Sequence, residues 1–99
     1  MELIEKNIKQ LKTLCLNYHV ERLYLFGSAV TNNFSNDSDI DFLVKFKSFD
    51  LASYFENYTD FKEKLKNLFK RKIDLIEEQT LKNPILIKSI NKNKELIYG

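Results

Sequence analysis

Residues 39–46 read DIDFLVKF, and their alternation sets the kind of layer this chain builds. Successive side chains of a strand point to opposite faces. Asp39 and Asp41 then share one face, while Ile40, Phe42 and Val44 share the other, where they can fill a core. Lys45 and Lys47 alternate with Val44 and Phe46, so the far end of this strand is expected to reach solvent. Working outward, Leu23, Tyr24, Leu25 and Phe26 form a short apolar run that stops at Gly27, as a buried strand does. Between the two strands, TNNFSNDS at 31–38 is rich in turn formers and reads as a loop, with room for one helical turn before it. KIDLIE at 72–77 is a third strand.

Helices flank these strands. Ile4, Ile8, Leu11, Cys15 and Tyr18 recur at steps of three and four, which predicts one amphipathic helix over about 2–18. Asp50 is placed to cap the next helix. Leu51, Tyr54, Phe55, Tyr58, Phe61, Leu65, Leu68 and Phe69 give that helix a continuous apolar face. Lys66, Lys70 and Arg71 gather at its C-terminal end, where cations suit the helix dipole. Asn83 followed by Pro84 makes an N-cap and first-turn pair, so a last helix is expected from there to about Asn91. ELIY at 95–98 reads as a short edge strand. The long helix between the second and third strands allows them to run parallel. The first connection is too short for a crossover and implies an antiparallel step. The expectation is a single α/β domain over residues 1–99, a small mixed β-sheet flanked by helices in two or three layers.

Composition narrows the function. The net charge is +2, which announces no nucleic-acid binding. The basic run KEKLKNLFKRK at 62–72 has apolar residues at helical spacing and reads as a solvated helix terminus rather than a nucleic-acid patch. Cys15 is the single cysteine, so an intrachain disulfide and a cysteine-based zinc site are excluded. That usage suits a reducing, cytoplasmic setting. The N-terminal MELIEKNIKQLKTL has no unbroken apolar stretch of signal-peptide type. No apolar run approaches the length of a membrane span. His19 is the only histidine and reads as a helix-end or packing residue, which leaves Ser28 without a base for nucleophilic catalysis.

The aspartates carry the chemistry. Two carboxylates side by side on one strand face repel each other, and a cation offsets the charge. All-oxygen ligands suit Mg²⁺, which takes a few carboxylates and completes its shell with water and phosphate. Asp74 is flanked by Ile73 and Leu75, so it faces away from them. If the third strand lies beside the second, Asp74 joins Asp39 and Asp41. Three carboxylates can then hold two metal ions about 3.5–4 Å apart, the geometry of in-line phosphoryl displacement. Gly27 allows a phosphate to approach the backbone, free N–H groups follow it, and the Ser28 hydroxyl adds a donor.

The order FGS, ten residues, DID and a later strand aspartate resembles the DNA polymerase beta-like nucleotidyltransferases. The likeness is nearer to the minimal nucleotidyltransferases (MNT), on SDIDFLV at 38–44, RKIDLI at 71–76 and KNP at 82–84. That resemblance implies the polymerase-beta-like fold and a transfer of NMP, typically AMP, from NTP to a hydroxyl. It implies that Gly27 and Ser28 hold a β- or γ-phosphate and that Asp39 and Asp41 bind two Mg²⁺, or Mn²⁺ in their place. It implies that Asp74 binds the catalytic metal and helps deprotonate the attacking hydroxyl. Many relatives carry an arginine just after the Gly-Ser pair, where this chain has Ala29 and Val30. The resemblance further implies a small helical HEPN partner with RNase-toxin activity, neutralised by the MNT protein as antitoxin, in some pairs by transfer of AMP to a toxin tyrosine. The alternative in that setting is a binding module that blocks its partner sterically.

Overall fold

A computed structural model of the chain describes residues 2–30 and 38–99, the side chains of Ser28 and Ala29 excepted. The elements run α1 (Glu2–Lys6), α2 (Ile8–Asn17), β1 (Val20–Phe26), a 3-10 turn (Gly27–Val30), β2 (Ile40–Phe46), α3 (Leu51–Phe69), β3 (Ile73–Glu77), a second 3-10 turn (Glu78–Thr80), α4 (Pro84–Asn93) and β4 (Glu95–Tyr98). The predicted loop over 31–38 lies almost wholly outside the described residues.

The sheet order is β3-β2-β1-β4. β1 pairs antiparallel with both β2 and β4, and β2 pairs parallel with β3. The mixed sheet and both strand directions are as predicted. A parallel pair needs a long crossover, and α3 is that crossover.

The two faces of the sheet carry separate apolar clusters. On one, Leu23, Leu25, Ile40, Phe42, Val44, Ile73 and Leu75 pack against Leu11, Cys15, Phe61, Leu65 and Phe69 of α2 and α3. Phe42 is fully buried and its ring stands 5.9 Å from that of Phe69. A side chain so buried contributes about 1.5–3 kcal/mol. Cys15 sits in this core, where burial pushes its thiol up to about 12. On the other face, Phe26 and Leu43 meet Ile90 of α4, with Tyr24, Ile76 and Leu81 around them. Three layers result, with the sheet in the middle.

Two expectations are modified. The N-terminal helix is divided at Asn7, whose side-chain amide donates to the Leu3 carbonyl at 2.9 Å while its backbone N–H takes the nearer carbonyl of Ile4 at 3.1 Å. An asparagine that competes for backbone acceptors in this way interrupts the regular ladder. The apolar face of α3 is narrower than read: Tyr54, Tyr58, Phe61, Leu65 and Phe69 pack on the core along the helix, with the Tyr54 ring 5.7 Å from that of Phe46, while Leu51 is 86% and Phe55 76% exposed on the stripe beside it. Both helix caps form as read: Asp50 accepts from the N–H of Ala52 at 3.1 Å, and Asn83 from that of Ile85 at 3.0 Å. No described helix is long and apolar enough to cross a membrane.

Candidate active site

β2 carries Asp41 on the face that α4 covers, because Phe42 and Val44 alternate into the opposite core. Asp74 has the same placement on β3, between buried Ile73 and Leu75. The parallel register sets Asp41 directly opposite Asp74. Paired residues of adjacent strands share a face, so the two carboxylates stand side by side. Asp39 lies two residues before Asp41, just outside β2, and is exposed. The structure therefore brings the three predicted aspartates to one end of one sheet face. Among the described residues, no three acidic, histidine or cysteine side chains close on a common point as a finished metal cage.

Electrostatics records the crowding. Burial, then the charges of Asp74 and Asp39, raise the Asp41 carboxyl to about 6. Among the described residues, no lysine or arginine forms an ion pair with any of the three.

Gly27 belongs to the same place. Phe26 pairs with Asp41 across β1 and β2, and the next residue turns with φ +70°. That conformation favours glycine. A Cβ on Gly27 would collide with the Asp41 carboxylate oxygen and lie 3.1 Å from its Cγ. The glycine thus serves two needs, a left-handed turn and a close approach of backbone to carboxylate. The backbone of Ser28 lies in the 3-10 turn that follows, while its side chain, and with it the predicted hydroxyl donor, lies outside the described residues.

Two residues at the site were not singled out for it by the sequence. The Tyr58 hydroxyl donates to the Leu75 carbonyl, and burial together with the nearby Asp74 and Glu77 charges raises its pKa. Arg71 Nη1 donates to the Ser38 carbonyl at 3.1 Å. Helical spacing placed Tyr58 on the apolar face of its helix and the charge run marked Arg71 as a helix end. Neither signal reports what a side chain meets across the fold. His19, read as a helix-end or packing residue, stacks on Phe49 with ring centroids 4.7 Å apart.

The family profile described as "Polymerase beta, Nucleotidyltransferase" matches residues 9–99. The chain belongs to the polymerase beta nucleotidyltransferase family. It is 35% identical over 97 residues, 98% of this chain and 91% of the other, to a candidate protein adenylyltransferase of Methanocaldococcus jannaschii. A solved candidate minimal nucleotidyltransferase superposes with a TM-score of 0.78 at 23% identity, covering 95% of this chain and 92% of that one. A chain from the complex of tri-AMPylated Shewanella oneidensis HEPN toxin with MNT antitoxin superposes with a TM-score of 0.66 at 18% identity, covering 96% and 71%. At these identities the two structural likenesses are likenesses of fold. In this nucleotidyltransferase Gly27 opens the turn after β1, Asp41 lies in β2 and Asp74 in β3.

Proposed function

We propose that this nucleotidyltransferase moves an NMP, namely AMP, from an NTP to a hydroxyl of a protein acceptor. The acceptor in this reading is a tyrosine of a small helical HEPN-type partner, and the chain acts as its antitoxin from within the cytoplasm, with residues 1–99 as one domain. The observation that carries the reading is the register of Asp41 against Asp74, with Gly27 backbone pressed against Asp41. The name of the archaeal relative and the AMPylated toxin in the structural neighbour support adenylyl transfer and a protein acceptor.

The donor set fits divalent cations. It is all-oxygen, and burial together with the charges of Asp74 and Asp39 raises the Asp41 carboxyl to about 6. Asp39 and Asp41 would hold two Mg²⁺, or Mn²⁺, with Asp74 sharing the second. When bound, the ions neutralise triphosphate charge and make the attacking hydroxyl more acidic. The rest is the work of the chain. Gly27 leaves room for a phosphate beside Asp41, and N–H groups of the turn donate to it. Asp74 lies on the edge strand, open to solvent, and takes the proton of the acceptor hydroxyl. The acceptor oxygen bonds the α-phosphorus and pyrophosphate leaves.

The test is incubation with labelled ATP, Mg²⁺ and the product of the neighbouring gene, followed by mass spectrometry of both proteins. Addition of AMP to a partner tyrosine is the expected result. Full neutralisation of the partner with no mass added would favour steric blocking instead.

A further inference from the structure

Asp39 stands one residue outside the ladder, since β2 opens at Ile40. It is nevertheless held from both sides. On its C-terminal side the Ile40 N–H donates to the Lys72 carbonyl at 3.1 Å. On its N-terminal side Arg71 Nη1 donates to the Ser38 carbonyl at 3.1 Å. Both anchors leave the same turn. There α3 ends, Lys70 takes φ 55° and ψ 42°, and its N–H donates to the Lys66 carbonyl at 2.8 Å. The register that pairs Ile40 with Ile73, continued two residues back, sets Ser38 level with Arg71. A side chain thus carries on the strand connection where the main-chain ladder stops.

We propose that Arg71 is a positioning residue for the nucleotidyl-transfer site: its guanidinium clamps the Ser38 carbonyl and so fixes where the Asp39 carboxylate stands beside Asp41. The inference rests on the reading of Asp39 as a metal ligand. The chemistry of the clamp favours arginine. A guanidinium stays charged at any working pH and offers several donors in one plane, so one nitrogen can hold a carbonyl while the plane resists rotation. A lysine offers a compact ammonium on a flexible, shorter stem, with no planar fork to resist rotation. The Ser38 segment is only part-buried, so a carbonyl released there regains water. Loss of the clamp therefore loosens the ligand without unfolding the sheet. Groups that orient metal ligands from behind typically change metal affinity about ten- to a hundredfold.

The test uses the full chain in three variants, Arg71→Ala, Arg71→Lys and Asp39→Asn. Mn²⁺ affinity is measured by electron paramagnetic resonance without nucleotide. Amide exchange is followed at Ile40 and, as a reference, at Phe42 and Leu75. Arg71→Ala is expected to weaken Mn²⁺ binding at least about tenfold. It should also speed exchange at Ile40, leave Phe42 and Leu75 protected, and keep the melting temperature within a few degrees of wild type. Arg71→Lys should fall between Arg71→Ala and wild type. Unchanged Mn²⁺ affinity in Arg71→Ala, with affinity lost in Asp39→Asn, would overturn the clamp and leave the metal reading standing. Unchanged affinity in Asp39→Asn would remove Asp39 from the metal site and the clamp's purpose with it. If Arg71→Ala does not fold, or loses protection at all three amides, its role is structural and the proposal fails unless Arg71→Lys, folded, shows the local effect alone.

Discussion

At one end of the sheet face covered by α4, Arg22 pairs with Glu78 at 3.3 Å, and Glu21 receives Arg22 and Lys45 at 3.4 Å each. At the other end of the same face, Asp39, Asp41 and Asp74 make no ion pair with any described lysine or arginine. Three pairings link the ends: Arg22 lies opposite Lys45, Tyr24 opposite Leu43 and Phe26 opposite Asp41. Among the described residues, the same strands therefore carry one charge cluster that is compensated by ion pairs and one that is not. The compensated end is partly exposed and adds little stability, since such pairs are worth about 0–1 kcal/mol each. The uncompensated end costs stability, and a fold that keeps such a cost usually keeps it for chemistry.

The comparison breaks most sharply at Asp74. Replacing it by Asn keeps the shape and removes a charge from the edge strand. Transfer to the acceptor is expected to fall at least about a hundredfold, as when a positioned catalytic group is lost. Mg-NTP binding should stay within about tenfold of wild type, or about 1.4 kcal/mol. Single-turnover transfer and calorimetric titration, both with the partner present, separate the two effects. A variant that transfers nothing yet still neutralises the partner would favour steric blocking.

Gly27→Val comes next. The residue's φ of +70° and its contact with Asp41 both resist a branched side chain. Thermal melts are expected to show a loss of about 1–3 kcal/mol, with NTP binding weakened in whatever protein remains folded. Wild-type stability and wild-type NTP binding together would remove this turn from the site.

Asp41→Asn sharpens the contrast through its sign. The folded carboxyl has its pKa raised from 3.8 to about 6, so the folded state holds this proton more tightly than the unfolded one. Its contribution to stability is greatest below about 3.8 and is lost as the pH rises through about 6. Asn removes that loss. The metal-free variant should be more stable than wild type near pH 7 by about 1 kcal/mol, a value reduced for the carboxylate's access to water. The difference should close near pH 3.5. Mg-NTP should raise the melting temperature of wild type and not of the variant. A large loss of metal-free stability would mark Asp41 as structural.

The smallest effect belongs to the compensated end. Glu78→Gln, which removes one partner of Arg22, should change stability by less than about 1 kcal/mol and leave transfer unchanged. Urea titration and the transfer assay would expose any coupling between the two ends.

Much of this was legible in the residues because it is local. Period-two alternation put Asp39 and Asp41 on one face and Phe42 and Val44 in the core. Capping chemistry placed Asp50 and Asn83 at helix starts, where both accept backbone N–H groups. The length of the connection between β2 and β3 allowed the parallel step that the structure has. The aspartate pattern, the Gly-Ser pair and their spacing carried the family resemblance that the profile match bears out.

What tertiary structure alone decided is non-local. Alternation says which face Asp74 takes, but the one-to-one match of Asp41 with Asp74 is a register between strands separated by the whole of α3. Register is set by core packing on both faces, not by either strand alone. The sign of φ at Gly27 and its contact with Asp41 arise only once β1 and β2 are paired. Helical spacing put Leu51, Phe55 and Tyr54 on one apolar face, but only the packed fold sets Tyr54 against Phe46 and leaves Leu51 and Phe55 exposed. A helix-end arginine became an anchor for Ser38 because the chain returns to that point 33 residues away in sequence. A local pattern fixes which way a side chain points, and only the folded chain fixes what it meets there.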